Sequence, residues 1–269
     1  MKKLIVDQLE AGMIPAKTIY SSTGMVLVAK GVPLKPSYIE SLRKFAVREV
    51  MIKEAEDEKK YYKDFGSAAQ QAVAETKRFS DVLEGYGTLK LADNVFKVEQ
   101  MIYSVLVKPA VQDSLAHIAN SEKVYHHSLR TTLLALNMAL CKGYDYLNLE
   151  FIAICALLHD SGLLEDCNEE EEHSLSGFVK LRENPELDMV VALTCLQHHE
   201  HFDGTGKPFG FSKMQITEFA RLIAVASYYD ELVFSKKNSP RQAVFKVIQG
   251  SGRQFDPDMV KLFTQIVAS

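Results

Sequence analysis

The chain has 269 residues, of which 47% are hydrophobic and 25% are charged, and its formal net charge is -4 at pH 7. These proportions allow a sizeable core and exclude wholesale disorder. The negative net charge argues against binding to polymeric nucleic acid, because general nucleic-acid binders usually carry an excess of basic residues. The length is sufficient for two domains.

Residues 1–53 are predicted to form a small β-rich domain of α+β type. Two short β-type runs at 13–20 and 25–29 are separated by Ser21-Ser22-Thr23-Gly24, which predicts a hairpin. A helix is expected from residue 35, followed by a closing strand at 48–52. This arrangement is typical of a regulatory or interaction module.

The rest of the chain is predicted to be mainly α-helical. Residues 54–92 form a predicted helical linker that begins with a solvated run of acids and lysines, and residues 93–269 form a helical bundle. The predicted helices cover residues 68–82, 93–107, 111–120, 125–142, 149–158, 185–199, 216–232 and 239–249, with a last short helix from residue 256. The acid run at 169–172 is expected to be a solvated loop.

Cysteine usage and hydropathy predict a cytoplasmic protein without a membrane span. The four cysteines show no C-x-x-C spacing, which is typical of reduced thiols (Cys141, Cys155, Cys167 and Cys195). The basic N-terminus is followed by Asp7 and Glu10, which interrupt any apolar signal-peptide core. No apolar stretch approaches the length needed to cross a bilayer.

A histidine-rich constellation in the second half of the chain predicts a metal site. Seven of the eight histidines fall between His126 and His201. His198-His199-Glu200 runs into a turn rich in glycine and proline, and His159-Asp160 lies upstream. A single histidine on an apolar helix face is more often a core residue, but several together are better explained by a shared divalent metal.

With these residues identified, the second half of the chain resembles the HD-GYP family of HD-superfamily metal phosphohydrolases. The resemblance covers about residues 90–269, and the first domain resembles the small β-rich module found before many such domains. It is carried by five segments: His127-Ser128-Leu129-Arg130, Leu157-Leu158-His159-Asp160-Ser161-Gly162, His173 with Gly177, His198-His199-Glu200-His201-Phe202-Asp203-Gly204-Thr205-Gly206-Lys207-Pro208, and Phe255-Asp256-Pro257.

The resemblance implies an HD-type helical bundle that hydrolyses cyclic di-GMP with divalent transition metals, commonly iron or manganese. One metal would take Asp160, His173, His198 and His199 as ligands. The other would take His127, His159 and a shared oxygen of Asp160. By the same resemblance Asp160 is the catalytic residue that orients the attacking water.

The chain departs from the family pattern at several positions. Lys123 replaces a glutamate associated with a third metal, and Leu163 replaces a lysine expected to contact phosphate. Lys207 replaces the tyrosine of G-Y-P, and Ser227 replaces an aspartate ligand of the second metal. One metal position therefore keeps its full donor set, whereas the second lacks an anionic ligand.

Three further residues are candidates for compensating roles. Asp230 could substitute for the missing metal ligand at residue 227. Arg130 and Lys207 are candidate substrate-binding residues, although a solvated loop lysine explains Lys207 equally well.

Two functions from different classes follow from this pattern. The first is a metal-dependent phosphodiesterase of HD-GYP type that hydrolyses cyclic di-GMP or a related cyclic dinucleotide weakly. The alternative is a catalytically inactive, metal-binding module that senses nucleotide or docks a protein partner through residues 1–53. A third and weaker hypothesis is a purely structural metal site that holds the bundle together.

Overall fold

The computed structural model describes residues 2–21, 26–28, 34, 36–52, 95–106, 108–118, 121–163 and 170–267. The predicted helix at 68–82 lies outside these residues. The chain divides into two compact units, Met1–Arg78 with Glu99–Lys108, and Phe79–Val98 with Pro109–Ser269. The domain boundaries expected at residues 53 and 92 stay a prediction.

In the described part of the chain, the first unit contains two small antiparallel sheets, the helix Pro36–Lys44 and most of the helix Val95–Leu106. Strand β1 (Lys2–Ile5) pairs with strand β4 (Glu49–Ile52), with Lys2 opposite Ile52, and strand β2 (Ile19–Tyr20) pairs antiparallel with strand β3 (Val26–Val28). Residues 22–25, which include most of the predicted hairpin turn, lie outside the described residues. The elements are β1 (Lys2–Ile5), β2 (Ile19–Tyr20), β3 (Val26–Val28), α1 (Pro36–Lys44) and β4 (Glu49–Ile52). The core of this unit includes buried side chains from each of these elements, among them Leu4, Ile19, Leu27, Leu42 and Val50.

Two features of the first unit differ from the sequence prediction. Strand β1 was not predicted. It is a short edge strand in which Leu4 is the single buried position, and the exposed lysines before it give no alternating apolar pattern. The run predicted at 13–20 is a strand only at Ile19–Tyr20. Earlier in that run Pro15 makes an isolated bridge to Ile52, since proline has no N–H group with which to continue a ladder.

The mainly α-helical fold class is confirmed. Helix α2 (Val95–Leu106) precedes the bundle, and the other helices are α3 (Pro109–Ile118), α4 (Glu122–Lys142), α5 (Tyr146–Leu158), α6 (Glu170–Arg182), α7 (Met189–Gln197), α8 (Glu218–Asp230), α9 (Pro240–Gln249) and α10 (Pro257–Val267). Among the described residues, no helix combines the length and hydrophobicity that crossing a membrane requires.

Helix α4 is the central element of the second unit and packs against α5, α8 and α10. The Ser121 hydroxyl caps its first turn by accepting a hydrogen bond from the Val124 N–H, and Gly143 ends it in the left-handed conformation with φ 81°. Leu129, Leu133 and Leu136 of the predicted apolar stripe are all buried. This burial fixes the face of α4 that carries His127.

Several helix boundaries were predicted wrongly because capping side chains decide them. Helix α7 begins at Met189 rather than at residue 185, since the Asp188 carboxylate accepts from the Val190 N–H at 2.9 Å. Helix α5 begins at Tyr146 rather than at residue 149, because Asp145 caps Asn148 in the same way. Helix α8 ends at Asp230, and a π-helical turn follows at Glu231–Ser235.

Helix α6 is a larger correction. The acid run at 169–172 was expected to be a solvated loop, but the backbone from Glu170 onward is the first turn of α6. Acidic residues are favourable at a helix N-terminus because they face the positive end of the helix dipole. The correction matters for function because α6 carries His173.

Two glycines allow α6 to approach the end of α5 and the face of α7. A Cβ atom at Gly162 would lie 1.9 Å from the carbonyl oxygen of His173, and one at Gly177 would lie 2.4 Å from the Sγ atom of Cys195. No larger residue fits at Gly162 without moving backbone. The glycine of the H-D-x-G segment therefore brings His173 next to His159 and Asp160.

We expect Gly162→Ala to lower the free energy of unfolding by about 3 kcal/mol and to reduce metal content, because overpacking here displaces α6. Gly143→Ala is the matched control, since the left-handed cap costs about 1–2 kcal/mol but lies away from the histidines. Urea unfolding and element analysis on both variants test this. Full metal content in a folded Gly162→Ala protein would contradict the positioning role.

Candidate metal centre

The buried carboxylate of Asp160 lies between two groups of histidines. Its Oδ2 atom is 3.5 Å from the Nε2 atoms of both His127 and His159. Its Oδ1 atom is 3.6 Å from Nε2 of His173 and 3.3 Å from Nε2 of His198. One side chain can therefore contribute an oxygen to each of two neighbouring cation positions.

The distances between ring nitrogens fit shared metal ions. Nε2 of His173 lies 3.4 Å from that of His198 and 3.1 Å from that of His199, and the Nε2 atoms of His127 and His159 are 3.3 Å apart. Two histidine nitrogens that bind the same metal ion, each at about 2.0–2.1 Å, lie about 3.0–3.4 Å from one another. The predicted ligands thus converge as two donor sets, Asp160 with His173, His198 and His199, and Asp160 with His127 and His159.

Backbone carbonyls hold two of these rings with the metal-binding nitrogen facing inward. The Nδ1 atoms of His159 and His198 lie 2.7 Å from the carbonyl oxygens of Ala156 and Cys195. A carbonyl can only accept, so each Nδ1 carries the hydrogen and each Nε2 keeps its lone pair. Hydrogen bonds of this type fix the tautomer and orientation of metal-binding histidines.

Burial sets the protonation states that a cation requires. It lowers the pKa of His159 to about 3 and that of His199 to about 2. Burial alone would raise the pKa of Asp160, but the imidazoles around its carboxylate, His159 first, hold it well below its usual value. Neutral imidazoles beside a charged carboxylate are the donor states that bind divalent metals.

The second donor set has a neutral hydroxyl where the family pattern has an acid. The Oγ atom of Ser227 lies 3.1 Å from Nε2 of His127, on the side of the ring that faces Asp160. A serine hydroxyl adds no negative charge and is a poor ligand for a hard dication. This donor set is therefore weaker than the one formed with His173, His198 and His199.

Asp230 lies behind His127, away from the metal-binding nitrogen. Its Oδ2 atom accepts a hydrogen bond from Nδ1 of His127 at 2.7 Å. Arg130 donates from Nε to Oδ1 at 2.5 Å and from Nη2 to Oδ2 at 3.0 Å, and its guanidinium stacks on Phe234 at 4.0 Å. In this arrangement Asp230 orients the ring of His127, as carboxylates behind metal-binding histidines commonly do.

These contacts raise the pKa of His127 and lower the pKa of Asp230. Burial lowers the pKa of His127, but the hydrogen bond to Asp230 and the attraction of Asp160 outweigh it and the net shift is upward. Burial raises the pKa of Asp230, while His127 and Arg130 lower it further than burial raises it. Proposals that use Arg130 for substrate or Asp230 as a metal ligand must therefore break these contacts.

Two cavities open onto the histidines. The larger, of about 370 Å³, is lined by Lys123, Val124, His127, Asp160, Leu163, His173, His199, Ser227, Glu231 and Ser235. The smaller, of about 130 Å³, is lined by His198, His199, Glu200, His201, Ala224, Ser227, Tyr228, Glu231, Lys236, Gln254 and Phe255. Among these lining residues the lysines are Lys123 and Lys236, and the exposed Lys207 does not line either cavity.

The turn after His199 is fixed by the Glu200 side chain and by close backbone contacts. The buried Glu200 accepts a hydrogen bond from the Phe209 N–H at 2.7 Å, and the Lys207 N–H donates to the His199 carbonyl at 3.2 Å. A Cβ atom at Gly206 would lie 2.1 Å from the backbone nitrogen of His201. These contacts bend the chain sharply and so hold His198 and His199 at the cluster.

Comparison with known proteins agrees with this geometry. The family described as "HD domain" matches residues 108–259, more than half of the chain. The chain belongs to the HD domain family. Together with the HD-GYP segments of the sequence, this confirms the predicted resemblance to HD-GYP proteins.

Two curated relatives of this HD-GYP protein are named cyclic di-GMP phosphodiesterases. The one from Pseudomonas aeruginosa is 26% identical over 75% of this chain and 52% of its own length. The one from Thermotoga maritima is 25% identical over 66% of this chain and 53% of its own length. The chain therefore spans about half the length of these relatives.

A solved structure shares this fold. It is that of an HDG"Y"P protein from Bdellovibrio bacteriovorus, which is 18% identical, covers 100% of this chain and 99% of its own, and has a TM-score of 0.54. At this identity the likeness shows the fold alone.

Sequence reasoning missed one residue that the HD-GYP fold brings to the site. Glu231 lines both cavities, together with Ser227 and His199. The sequence did contain one signal for this. Glu231 lies four residues after Ser227, and residues four apart on a helix share one face.

We expect the protein, purified without chelator, to carry at least one transition metal per chain. The reason is that all four side chains of the first donor set are present and converge on one point: Asp160, His173, His198 and His199. Asp160→Ala and His198→Ala should each remove most of this metal. His201→Ala is the matched control, since its ring bonds to Thr205 rather than to the cluster. Element analysis that finds wild-type metal content in both ligand variants would contradict the site.

We also expect the chelator-treated protein to lose stability as the pH falls below about 6.5. His159 and His199 have lowered pKa values when folded, so the unfolded chain binds more protons in this range. Each contributes a loss of up to about 1.4 kcal/mol per pH unit, opposed in part by His127, whose pKa is raised. Urea unfolding at about pH 7 and about pH 5.5 measures the slope.

The His199→Asn variant should show a smaller dependence of unfolding free energy on pH than the wild type. A wild-type protein whose stability is unchanged or rises over this range would show that these imidazoles are not buried in the neutral form.

Proposed function

We propose that the protein is a metal-dependent phosphodiesterase of HD-GYP type that hydrolyses cyclic di-GMP or a related cyclic dinucleotide weakly. The observation that carries this proposal is the carboxylate of Asp160, which faces histidines on both of its oxygens. The names of the relatives from Pseudomonas aeruginosa and Thermotoga maritima support the choice of substrate class.

The donor atoms favour a transition metal over magnesium or calcium. Imidazoles outnumber carboxylates in both donor sets, and a set of nitrogen and carboxylate donors suits iron or manganese. His173, His198, His199 and Asp160 would hold the tighter ion, and His127, His159 and Asp160 the weaker one. When bound, such ions polarise phosphoryl oxygens and make water a stronger nucleophile.

The protein side chains position the reacting groups around these ions. Asp160 lies at the centre of both donor sets and is the residue proposed to orient the attacking water. The water would attack phosphorus and one P–O ester bond of the cyclic dinucleotide would break, leaving a linear product. The larger cavity, which contains Asp160, His127 and His173, is the place proposed for the phosphate.

The electrostatics of this cavity account for the expectation of weak turnover. Leu163 presents an apolar side chain where the family pattern has a phosphate-binding lysine, and Ser227 presents a neutral hydroxyl. Lys123 is the cation that lines the cavity, and it lies there with the acidic Glu231. Fewer cations around the phosphate mean less stabilisation of charge in the transition state.

The same residues favour one alternative, a catalytically inactive module that binds metal and senses nucleotide. Ser227 and Leu163 stand where the family pattern has an anionic metal ligand and a phosphate-binding lysine, and the loss of both weakens catalysis while the other metal position keeps its donors. In this alternative residues 1–53 would dock a signalling partner.

For either function we propose that the protein is located in the cytoplasm. Its described cysteines Cys141, Cys155 and Cys195 are free thiols, as is usual in reducing compartments.

Turnover of cyclic di-GMP by protein purified without chelator, with metal content measured on the same sample, separates these functions. Hydrolysis that Asp160→Ala abolishes supports the enzyme. Saturable nucleotide binding by metal-loaded protein without hydrolysis supports the sensor. Neither binding nor hydrolysis by metal-loaded protein would contradict both.

We expect Ser227→Asp to raise the phosphodiesterase activity about tenfold, which corresponds to about 1.4 kcal/mol of barrier. The new carboxylate would lie near Nε2 of His127 and supply the missing anionic donor. Ser227→Asn is the matched control, because the asparagine side chain has the same shape as aspartate but carries no charge. Equal activities of both variants and the wild type would show that the second donor set does not limit catalysis.

A further inference from the structure

We propose that Glu231 is the anionic ligand of the second metal position, the role left open by Ser227. This inference rests on the proposed function, because it assumes that the histidine clusters bind metal. It assigns the missing charge to a residue one helical turn from the serine rather than to Asp230.

The backbone places Glu231 over the second donor set. Its N–H donates to the carbonyls of Ser227 and Tyr228, so the helical relation between residues 227 and 231 is intact. Residues four apart are neighbours on one helix face, and the Cα–Cβ bond points toward the helix N-terminus. The Cα–Cβ bond of Glu231 thus points back toward the turn that carries Ser227, whose hydroxyl lies 3.1 Å from Nε2 of His127.

Glu231 shares the larger cavity with members of the second donor set. Glu231 lines the larger cavity together with His127, Asp160 and Ser227, and it also lines the smaller one. It is therefore an acidic side chain beside a set of two imidazoles and one shared carboxylate, which needs a further anionic donor.

Asp230 is excluded from this role by its own contacts. It bonds to Nδ1 of His127, whereas the metal-binding nitrogen is Nε2 on the opposite side of the ring. Both of its oxygens also accept from the partly buried guanidinium of Arg130. A ligand role for Asp230 would require the loss of this ion pair and of the orientation of His127.

Glu231 is held outside the donor set by an exposed ion pair with Lys236. Lys236 Nζ lies 3.0 Å from Glu231 Oε1, and their side chains are 51% and 43% exposed. Ion pairs this exposed are weak, so a dication can displace the lysine at little cost. Lys236 then competes with the metal for one carboxylate, and the second ion should bind more weakly than the first.

The π-helical turn that starts at Glu231 gives this side chain a distinctive setting. The regular helix ends at Asp230, and the π turn Glu231–Ser235 carries the chain to Lys236. Short π-helical segments often occur at functional sites. Here the turn places the acid and its competing lysine on the same cavity.

Calorimetric titration of the metal-free 269-residue protein with Mn²⁺ tests the assignment. The wild type should show one tight and one weaker site. Glu231→Gln should weaken the weaker site at least about tenfold and leave the tight site unchanged, since the loss of one coordinating or supporting group commonly changes metal affinity by this factor. Glu186→Gln, an exposed change of the same chemistry outside the cavities, should leave both sites unchanged.

Two further variants separate a ligand from a merely nearby charge. Lys236→Ala should strengthen the weaker site, because it removes the competing cation. Ser227→Asp combined with Glu231→Gln should restore that site, because the carboxylate returns one turn earlier.

The outcomes distinguish this inference from the proposed function. A weaker site that Glu231→Gln leaves unchanged, or a wild type with a single site, overturns the assignment of Glu231 while the enzyme proposal stands on the tight site. A wild type that binds no Mn²⁺ overturns both.

Discussion

The buried carboxylate of Asp160 is the group on which the arrangement of the site depends. A charge removed from water is costly unless it has partners, and here four imidazoles lie within 3.6 Å of its two oxygens. Those imidazoles come from α4, the end of α5, α6 and the end of α7. The packing of four helices is therefore coupled to one side chain, and a cation among them would relieve the crowding of buried polar groups.

The surrounding backbone shows how closely the helices must approach for this coupling. Gly162 allows the carbonyl of His173 to lie where any other residue would place its Cβ atom. Gly206 does the same for the backbone of residues 200 and 201. The glycines of the family segments are thus steric requirements of the metal centre, and they act through backbone distance rather than through chemistry.

Much of this site could be predicted from the sequence, because the residues that make it occur in short local segments. His159-Asp160 and His198-His199 are contiguous, so their proximity needs only a helix end and a turn. Helix α6 could not be predicted, since its acidic first turn resembles a solvated loop and its position depends on packing against Gly162. The direction of Asp230 was equally hidden, because adjacent residues on a helix point to different faces and the contacts with His127 and Arg130 decide which way the carboxylate turns.

The hydrogen bonds behind His198 and His127 differ in how far they depend on other side chains. His198 is oriented by a carbonyl of its own helix, which no substitution at another side chain can remove. His127 depends instead on Asp230, which depends in turn on Arg130. A substitution at Asp230 or Arg130 would weaken the ion-binding position that contains His127 and leave the one that contains His198 intact. A lineage could in this way lose catalysis stepwise yet keep a metal-stabilised fold, which is a plain route from enzyme to sensor.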